Sequence, residues 1–284
     1  MQAGATAERF VVFDVHGECC IGLFAPAAGP AETCAVLIVV GGPQYRVGSH
    51  REFALLARAL AGAGIATLRF DYRGMGDSDG DARTFEAIDD DLAGAIDALC
   101  GEAATERVVL WGLCDGASAA LMYAGRDPRV AGIVAVNPWV RSEQGAAATR
   151  LRHYYARRLM APEFWRRLVA GGIHPIRAFR ELAGTWRQAR QPSPEAARQP
   201  FLARMSGAWR SLDRRMLVVL SGRDFTAREF EAWRAAQEQE RPDPRIDALR
   251  DTVHFPAADH TFSSGVARDA LSTRTIEWIR GLPR

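Results

Sequence analysis

Apolar and polar residues follow two patterns along the chain, one typical of strands and one typical of helices. Continuous apolar runs of strand length indicate strands that are covered on both faces of a sheet. Stretches with apolar residues at helical spacing separate them. The predicted strands are 10–15, 19–24, 34–40, 65–70, the run starting at Arg107, 130–136, 216–220 and 252–255; the predicted helices are 52–63, 85–99, the small-residue run after Cys114, and 266–279. Alternating strands and helices predict an α/β fold with a mostly parallel sheet.

Two stretches depart from this alternation. The first two strands flank His16-Gly17, which predicts an antiparallel hairpin at the start of the chain. Residues 139–212 have a helical pattern interrupted by prolines, which predicts an insertion between two core strands. The predicted organisation is therefore a core of residues 1–138 and 213–284, with residues 139–212 as a helical lid.

One segment combines a predicted strand, a tight turn and a helix. It reads Trp111-Gly-Leu-Cys-Asp-Gly116, which is the G-x-S-x-G nucleophile pattern with cysteine in place of serine. Glycines two residues either side of Cys114 are needed because side chains there would collide with the strand and the helix. A helix N-terminus favours a thiolate, so Cys114 is the candidate nucleophile. The alternative is a buried cysteine in an ordinary strand–turn–helix.

A cysteine nucleophile needs a base and an orienting acid, which in this type of site follow in the order acid, then histidine. Asp224 follows the 216–220 strand in a tight turn and is the candidate acid, although it also suits the N-cap of a helix near Thr226. His260 lies between the last strand and the last helix and is the candidate base. Among the other histidines, His254 is predicted to point into the sheet, and His50 to cap a helix or contact substrate.

An acyl-transfer site also needs two N–H donors for the developing oxyanion. The backbone N–H of Asp115, directly after the nucleophile, is the first expected donor. The second is expected in the loop after the 34–40 strand, where Pro43 lacks an N–H and leaves Gln44, which we favour, or Gly42. The Asp115 carboxylate either opposes thiolate formation by like charge or faces the helix N-terminus, and the sequence leaves both open.

Composition limits the chemistry available. All 36 basic residues are arginine, so lysine-based catalysis is excluded. The five cysteines, at 19, 20, 34, 100 and 114, have no metal-binding spacing and are predicted to be free thiols in a reducing compartment. Neither a signal-peptide core nor a membrane-spanning apolar run is present, which predicts a cytoplasmic protein. No nucleotide-binding or metal-ligand motif appears, so no cofactor is expected.

Charge is distributed unevenly between the insertion and the core. Residues 139–212 hold 14 arginines against 4 acidic residues, while the rest of the chain holds 22 against 30. Interleaved aromatic residues make Tyr154 and Arg158 candidate substrate contacts, together with Arg46 near the predicted mouth of the site. This pattern predicts an anionic glycan or acyl substrate, or peripheral contact with an anionic membrane, and no nucleic acid. The alternative is that these arginines are surface charges, some of them paired with the acidic core.

The motifs together resemble the α/β-hydrolases. They are Phe70-Asp-Tyr-Arg-Gly-Met-Gly-Asp-Ser78, Gly112-Leu-Cys-Asp-Gly116, Leu220-Ser-Gly-Arg-Asp224 and Ala258-Asp-His260. Gly41-Gly-Pro-Gln-Tyr-Arg-Val-Gly-Ser-His50 with the Cys114 motif is similar to the type 1 exosortase-A-system-associated hydrolases, and a cysteine nucleophile also resembles the dienelactone hydrolases.

This resemblance implies an α/β-hydrolase fold with an inserted lid and a genetic setting beside exopolysaccharide and protein-sorting genes of Gram-negative bacteria. The residues predict cleavage of an ester or thioester through a Cys-His-Asp triad and an acyl-enzyme. The alternatives are an acyltransferase with the same triad, or a non-catalytic scaffold in that pathway.

Overall fold

The structure, a computed structural model, describes residues 7–42, 44–140 and 201–283. The strands are β1 (Arg9–Val15), β2 (Glu18–Ala25), β3 (Ala35–Val39), β4 (Thr67–Asp71), β5 (Val108–Leu113), β6 (Val130–Val136), β7 (Arg215–Ser221) and β8 (Arg250–Phe255). The helices are α1 (Glu52–Gly62), α2 (Asp89–Ala103), α3 (Asp115–Ala124), α4 (Phe201–Ser211), α5 (Phe225–Glu240), α6 (Pro244–Asp247) and α7 (Gly265–Arg280), with short 3₁₀ turns at Ser49–Arg51 and Phe85–Ala87.

The eight strands form one sheet in the order β1-β2-β4-β3-β5-β6-β7-β8. Strands β1, β2 and β4 pair antiparallel, and every pairing from β4 onward is parallel. The predicted hairpin is confirmed, and His16 and Gly17 form its turn with φ angles of 56° and 81°. All residues of β3 and β5 are buried, so both faces of the sheet centre are covered. The predicted α/β fold with a mostly parallel sheet is therefore confirmed.

The parallel strands all end at the same edge of the sheet. Strands β3, β5, β6 and β7 end at Val39, Leu113, Val136 and Ser221. In open α/β sheets the functional loops follow the carboxyl ends of the strands. The loops that carry the predicted nucleophile, acid and oxyanion donors therefore leave this one edge.

The second predicted helix differs from the observed one at both ends. A 3₁₀ turn at Phe85–Ala87 comes first, and α2 begins at Asp89 and runs to Ala103. Its first turn holds three aspartates, which interact favourably with the positive end of the helix dipole. The apolar spacing predicted which face of α2 is buried, and the three aspartates account for its observed start at Asp89.

The predicted insertion of residues 139–212 is only partly within the described residues. Its last part forms α4, which packs on α3 and buries Met205 and Trp209. The ring of Trp209 meets Phe230 of α5 edge to face, with centroids 5.6 Å apart. Residues 141–200 lie outside the described residues, so the lid and its boundaries stay a prediction.

Candidate active site

Cys114 occupies a strained turn between β5 and α3. Its φ and ψ angles are 57° and −118°, which a non-glycine residue adopts only when its surroundings enforce it. Its backbone N–H donates to Val136 O over 2.9 Å, which ties the turn to the end of β6. The side chain is 6% exposed. This is the backbone geometry that the motif predicted for a nucleophile.

Two glycines make this turn sterically possible. A Cβ at Gly112 would overlap the backbone of Gly116, and a Cβ at Gly116 would overlap the carbonyl oxygen of Val39. The backbones of β5, α3 and β3 therefore touch at this point. The predicted reason for glycine on both sides of Cys114 is confirmed at the level of backbone packing.

Asp224 and His260 form a hydrogen-bonded pair. His260 Nδ1 lies 2.8 Å from Asp224 Oδ2, and because an ionised carboxylate only accepts, we assign the proton to Nδ1. Burial acts to raise the pKa of Asp224, but the hydrogen bond and charge of His260, with two backbone N–H donors, hold that pKa below its usual value. The carboxylate is therefore ionised at neutral pH and suited to orient His260.

Asp224 also caps α5. Its two carboxylate oxygens accept from the backbone N–H groups of Thr226 and Ala227, each over 3.1 Å. The sequence left acid and N-cap as alternatives, and the geometry shows that one carboxylate makes both sets of contacts.

Two other aspartates, Asp251 and Asp259, precede His260 closely in the chain, and each has a different partner. Asp251 accepts from the indole N–H of Trp278 over 2.9 Å. Asp259 accepts from the backbone N–H of Ser263 over 2.9 Å and from its hydroxyl group.

The structure bears on the predicted roles of two other histidines. His254 is exposed rather than directed into the sheet, because β8 is an edge strand and its outer face is open to solvent. Its side chain lies 3.7 Å from Glu231. His50 is exposed too, and the N-cap of α1 is Arg51, which makes no side-chain capping hydrogen bond. His50 therefore does not cap this helix, and its contact with substrate stays a prediction.

The carboxylate of Asp115 lies beside the predicted nucleophile. Cys114 Sγ is 3.2 Å from Asp115 Oδ1, with the thiol donating. A hydrogen bond to an acceptor favours the protonated thiol, and a negative charge at this distance opposes the thiolate. Of the two alternatives that the sequence left open, this contact favours opposition to the thiolate.

Asp115→Asn is expected to make Cys114 more reactive under mildly acidic conditions. Removing the negative charge favours the thiolate, which is the form that reacts with iodoacetamide. We expect the alkylation rate at pH 6 to rise roughly tenfold, which corresponds to about 1.4 kcal/mol of extra stabilisation of the thiolate relative to the thiol. Asp127→Asn, a buried aspartate just beyond α3, is the matched control and should leave the rate unchanged. A slower or unchanged rate in Asp115→Asn would contradict this interpretation.

The predicted oxyanion donors differ in how they are placed. Asp115 begins α3 directly after the turn, as predicted. The backbone N–H of Gln44 donates to Gly42 O over 2.8 Å, inside its own loop. Gly42 lies next to the Asp115 side chain, and its carbonyl accepts from the Tyr72 hydroxyl over 3.3 Å. Because the Gln44 N–H already has a partner in its own loop, we prefer Gly42 as the second donor, which stays a prediction.

Arg46 is buried instead of lying at an open mouth. It is 5% exposed, and its guanidinium pairs with Asp71 and, over 2.9 Å, with Asp77. Its backbone N–H also donates to Asp71 Oδ1 over 2.8 Å. The side chain thus joins the loop after β3 to the loop after β4, in place of the predicted anion contact or surface charge. Tyr154 and Arg158, the other candidate substrate contacts, lie outside the described residues.

The insertion contributes two arginines within the described residues. Arg204 lies 3.6 Å from Asp89 and donates to the carbonyl of Glu86 over 2.7 Å, and Arg210 pairs with Glu240. Both pair with acidic residues outside the insertion. For these two arginines, the alternative of pairing with the acidic core is therefore the observed one.

Glu52 is a buried acid that the sequence did not single out. It is 1% exposed, and neither of its carboxyl oxygens has a hydrogen-bond partner within the described residues. Burial raises its pKa to about 8, against a lowering by Arg268 and a further raising by Asp259. The apolar spacing of α1 placed this residue at a helix start, where glutamate is common, and gave no sign of its burial.

Glu52→Gln is expected to change how stability depends on pH. Because the folded-state pKa exceeds the ordinary 4.5, the unfolded chain releases this proton first. Wild-type stability should therefore fall as pH rises from about 4.5 to about 8, at up to about 1.4 kcal/mol per pH unit. In urea unfolding at pH 5 and pH 8, the free energy of unfolding of Glu52→Gln relative to that of wild type should be higher at pH 8 than at pH 5. The exposed Glu106→Gln is the control, and a gain that is the same at both pH values would contradict the assignment.

Within the described ranges, no helix is long and apolar enough to cross a membrane. In the same part of the chain, no cluster of three or more histidine, cysteine or acidic side chains is arranged to hold a metal ion.

Comparison with known proteins agrees with this architecture. The alpha/beta hydrolase family matches residues 36–270. A thiohydrolase of Arthrinium phaeospermum is 35% identical over 119 residues, a stretch that covers 40% of this chain and only 36% of that relative.

Solved structures are similar over nearly the whole chain. An esterase of Pyrococcus furiosus superposes with a TM-score of 0.67 at 14% identity, covering 98% of this chain and 92% of that one. A dienelactone hydrolase of Anabaena variabilis superposes with a TM-score of 0.58 at 16% identity, covering 99% and 100%. These likenesses concern the fold. The sheet order, the strained turn and the family match over residues 36–270 together place the chain in the alpha/beta hydrolase family.

Proposed function

We propose that this hydrolase cleaves an ester or thioester, with Cys114 as nucleophile, His260 as base and Asp224 as orienting acid. The observation that carries the proposal is the strained cysteine at the strand–helix turn, in a chain whose Asp224 and His260 are 2.8 Å apart. Strained backbone at a candidate nucleophile and a buried carboxylate on a histidine are both costly unless they serve a site.

In the first step the Cys114 sulfur attacks the acyl carbon, and His260 Nε2 accepts the thiol proton. The carbonyl π electrons move to oxygen, where the N–H groups of Asp115 and Gly42 stabilise the oxyanion. When the carbonyl re-forms, the bond to the leaving oxygen or sulfur breaks, and His260 returns the proton to it. The product is an acyl-thioester on Cys114 and a free alcohol or thiol.

In the second step a water molecule attacks that thioester while His260 takes its proton. Collapse of the intermediate breaks the bond to sulfur, releases the carboxylic acid and restores the Cys114 thiol. Asp224 holds His260 in one tautomer throughout and stabilises the imidazolium that forms twice in each cycle.

Two kinds of leaving group fit the proposed chemistry, a thiol and an alcohol. The name thiohydrolase of the Arthrinium phaeospermum relative supports a thioester, and the P. furiosus esterase supports an ester. The resemblance to exosortase-associated hydrolases supports a substrate from exopolysaccharide metabolism in the cytoplasm. The arginine-rich insertion supports an anionic substrate or an anionic membrane surface as its partner.

A paired substrate panel tests this proposal. Acyl esters of p-nitrophenol and acyl thioesters of the same chain length are assayed with and without prior alkylation by iodoacetamide. We expect hydrolysis of at least one series and its loss after alkylation. An added alcohol that receives the acyl group in place of water would favour the acyltransferase alternative. No turnover of either series together with no alkylation of Cys114 would overturn the proposal in favour of the scaffold.

A further inference from the structure

Asn137 is the single asparagine of the 284-residue chain, and it directly follows β6. It is fully buried, and its φ angle of 44° is uncommon for a residue with a side chain. Its backbone N–H donates to Val219 O over 2.9 Å, so the residue continues the β6–β7 pairing by one step. A buried polar residue in left-handed backbone needs compensating contacts.

The side chain of Asn137 supplies those contacts by joining two separate loops. Its Oδ1 accepts from the backbone N–H of Ser221 over 2.9 Å, at the end of β7. Its Nδ2 donates to Ser221 Oγ over 2.8 Å and to the carbonyl oxygen of His260 over 3.0 Å. Both amide protons and the amide oxygen are therefore used.

These contacts lie at the base of the Asp224–His260 pair. Asp224 follows Ser221 by three residues, and Arg223 N–H donates to Ala258 O over 3.0 Å between the same two loops. The side-chain amide of Asn137 therefore links the end of β7, where the loop to Asp224 starts, to the backbone of His260.

We propose that Asn137 is a positioning residue that holds the backbone of His260 in register with Asp224. The inference rests on the proposed function, since it assigns a partner to its base. The contact made to His260 explains why an amide is required there. A carbonyl oxygen only accepts, so its partner must donate, and an ionised carboxylate at position 137 would face it with like partial charge.

The test compares Asn137→Asp, Asn137→Gly and Ser221→Ala with wild type. Asn137→Gly removes all three side-chain contacts, while glycine suits the φ angle of 44° without strain. Ser221→Ala is the matched control, because it removes one hydrogen bond of the same amide and leaves the contact to His260. A misplacement of a reacting group by about 1 Å costs about 10²-fold in rate, so we expect kcat to fall by that order in both Asn137 variants with KM little changed.

A pH profile distinguishes positioning from loss of stability. A protonated aspartic acid is a donor, so Asn137→Asp should recover activity relative to wild type as the pH falls. The kcat of Asn137→Gly relative to wild type should not depend on pH. Ser221→Ala should keep kcat close to the wild-type value, because the Asn137 contact to the His260 carbonyl is unchanged. Circular dichroism at the assay temperature confirms that each variant is folded.

The outcomes separate this inference from the proposed function. If Cys114→Ala and His260→Ala are inactive while both Asn137 variants match Ser221→Ala in kcat and pH profile, the positioning role is rejected and the proposed function stands. If Cys114→Ala or His260→Ala retains full turnover, the proposed function fails and the inference fails with it.

Discussion

Cys114→Ala is expected to abolish turnover and covalent labelling while the fold is retained. Alanine fits the space of the buried thiol and leaves Gly112 and Gly116 free to pack as before. Without a nucleophile the acyl-enzyme cannot form, and the remaining oxyanion donors provide only a small part of the rate. We expect a fall of at least about 10⁴-fold in kcat, the order seen when a triad nucleophile is removed.

The same experiment includes two comparison variants. Cys34→Ala removes a buried thiol directly before β3, at the opposite end of that strand from the predicted site, and should leave turnover and labelling unchanged. Cys114→Ser should retain weak activity, because a hydroxyl group needs more help from its base than a thiol does. Full activity in Cys114→Ala with a normal thermal unfolding curve would exclude this cysteine as nucleophile.

Asp224→Asn is expected to give the second-largest fall in kcat. Asparagine keeps one accepting oxygen for Thr226 or Ala227 and is itself a common N-cap residue, so most of the cap of α5 is kept. What changes is the contact to His260, which loses its charge and its fixed tautomer. The loss reaches roughly 10⁴-fold in serine triads, and a cysteine–histidine pair depends less on its acid, so we expect about 10²- to 10³-fold in kcat. Asp259→Asn is the control, and a silent Asp224→Asn beside an impaired Asp259→Asn would assign the acid to Asp259.

The stability of Asp224→Asn adds a pH-dependent check. The folded-state pKa of Asp224 is lowered, so its ionised form stabilises the fold at pH values above its unfolded pKa. This contribution is lost as the pH falls through the folded pKa. Urea unfolding should therefore show wild type more stable than Asp224→Asn at pH 7, with the difference shrinking toward pH 3. A difference that grows on acidification would contradict the lowered pKa.

The sequence predicted the sheet because local pattern was enough there. The apolar runs of β3, β5 and β6 are buried on both faces, and such runs leave no other consistent arrangement. The turn at Cys114 was predictable because its glycine spacing is a local motif, although Gly116 also packs against Val39 of β3. Asp224 and His260 were recognisable by their order after strands, although their 2.8 Å contact became visible only in three dimensions.

What the sequence could not predict depends on distant residues. Asn137 meets partners 84 and 123 positions away, and nothing beside it in the chain marks that contact. The sequence places Arg46 in a polar loop, which indicates an unpaired cation, whereas the structure pairs it with Asp71 of β4. Glu52 became unusual only because surrounding elements bury it. Pairing and burial of charged groups follow from tertiary packing, which local pattern does not encode.

Peptide mass spectrometry tests most directly whether Cys114 carries the acyl group during turnover. The protein is mixed with a p-nitrophenyl ester, quenched in acid during turnover and digested with trypsin. Cleavage after Arg107 and Arg126 frees one peptide whose single cysteine is Cys114. We predict one added acyl group on that cysteine and no such group in Cys114→Ala. Continuing turnover with the acyl group on another residue, or with this peptide always unmodified, would contradict it.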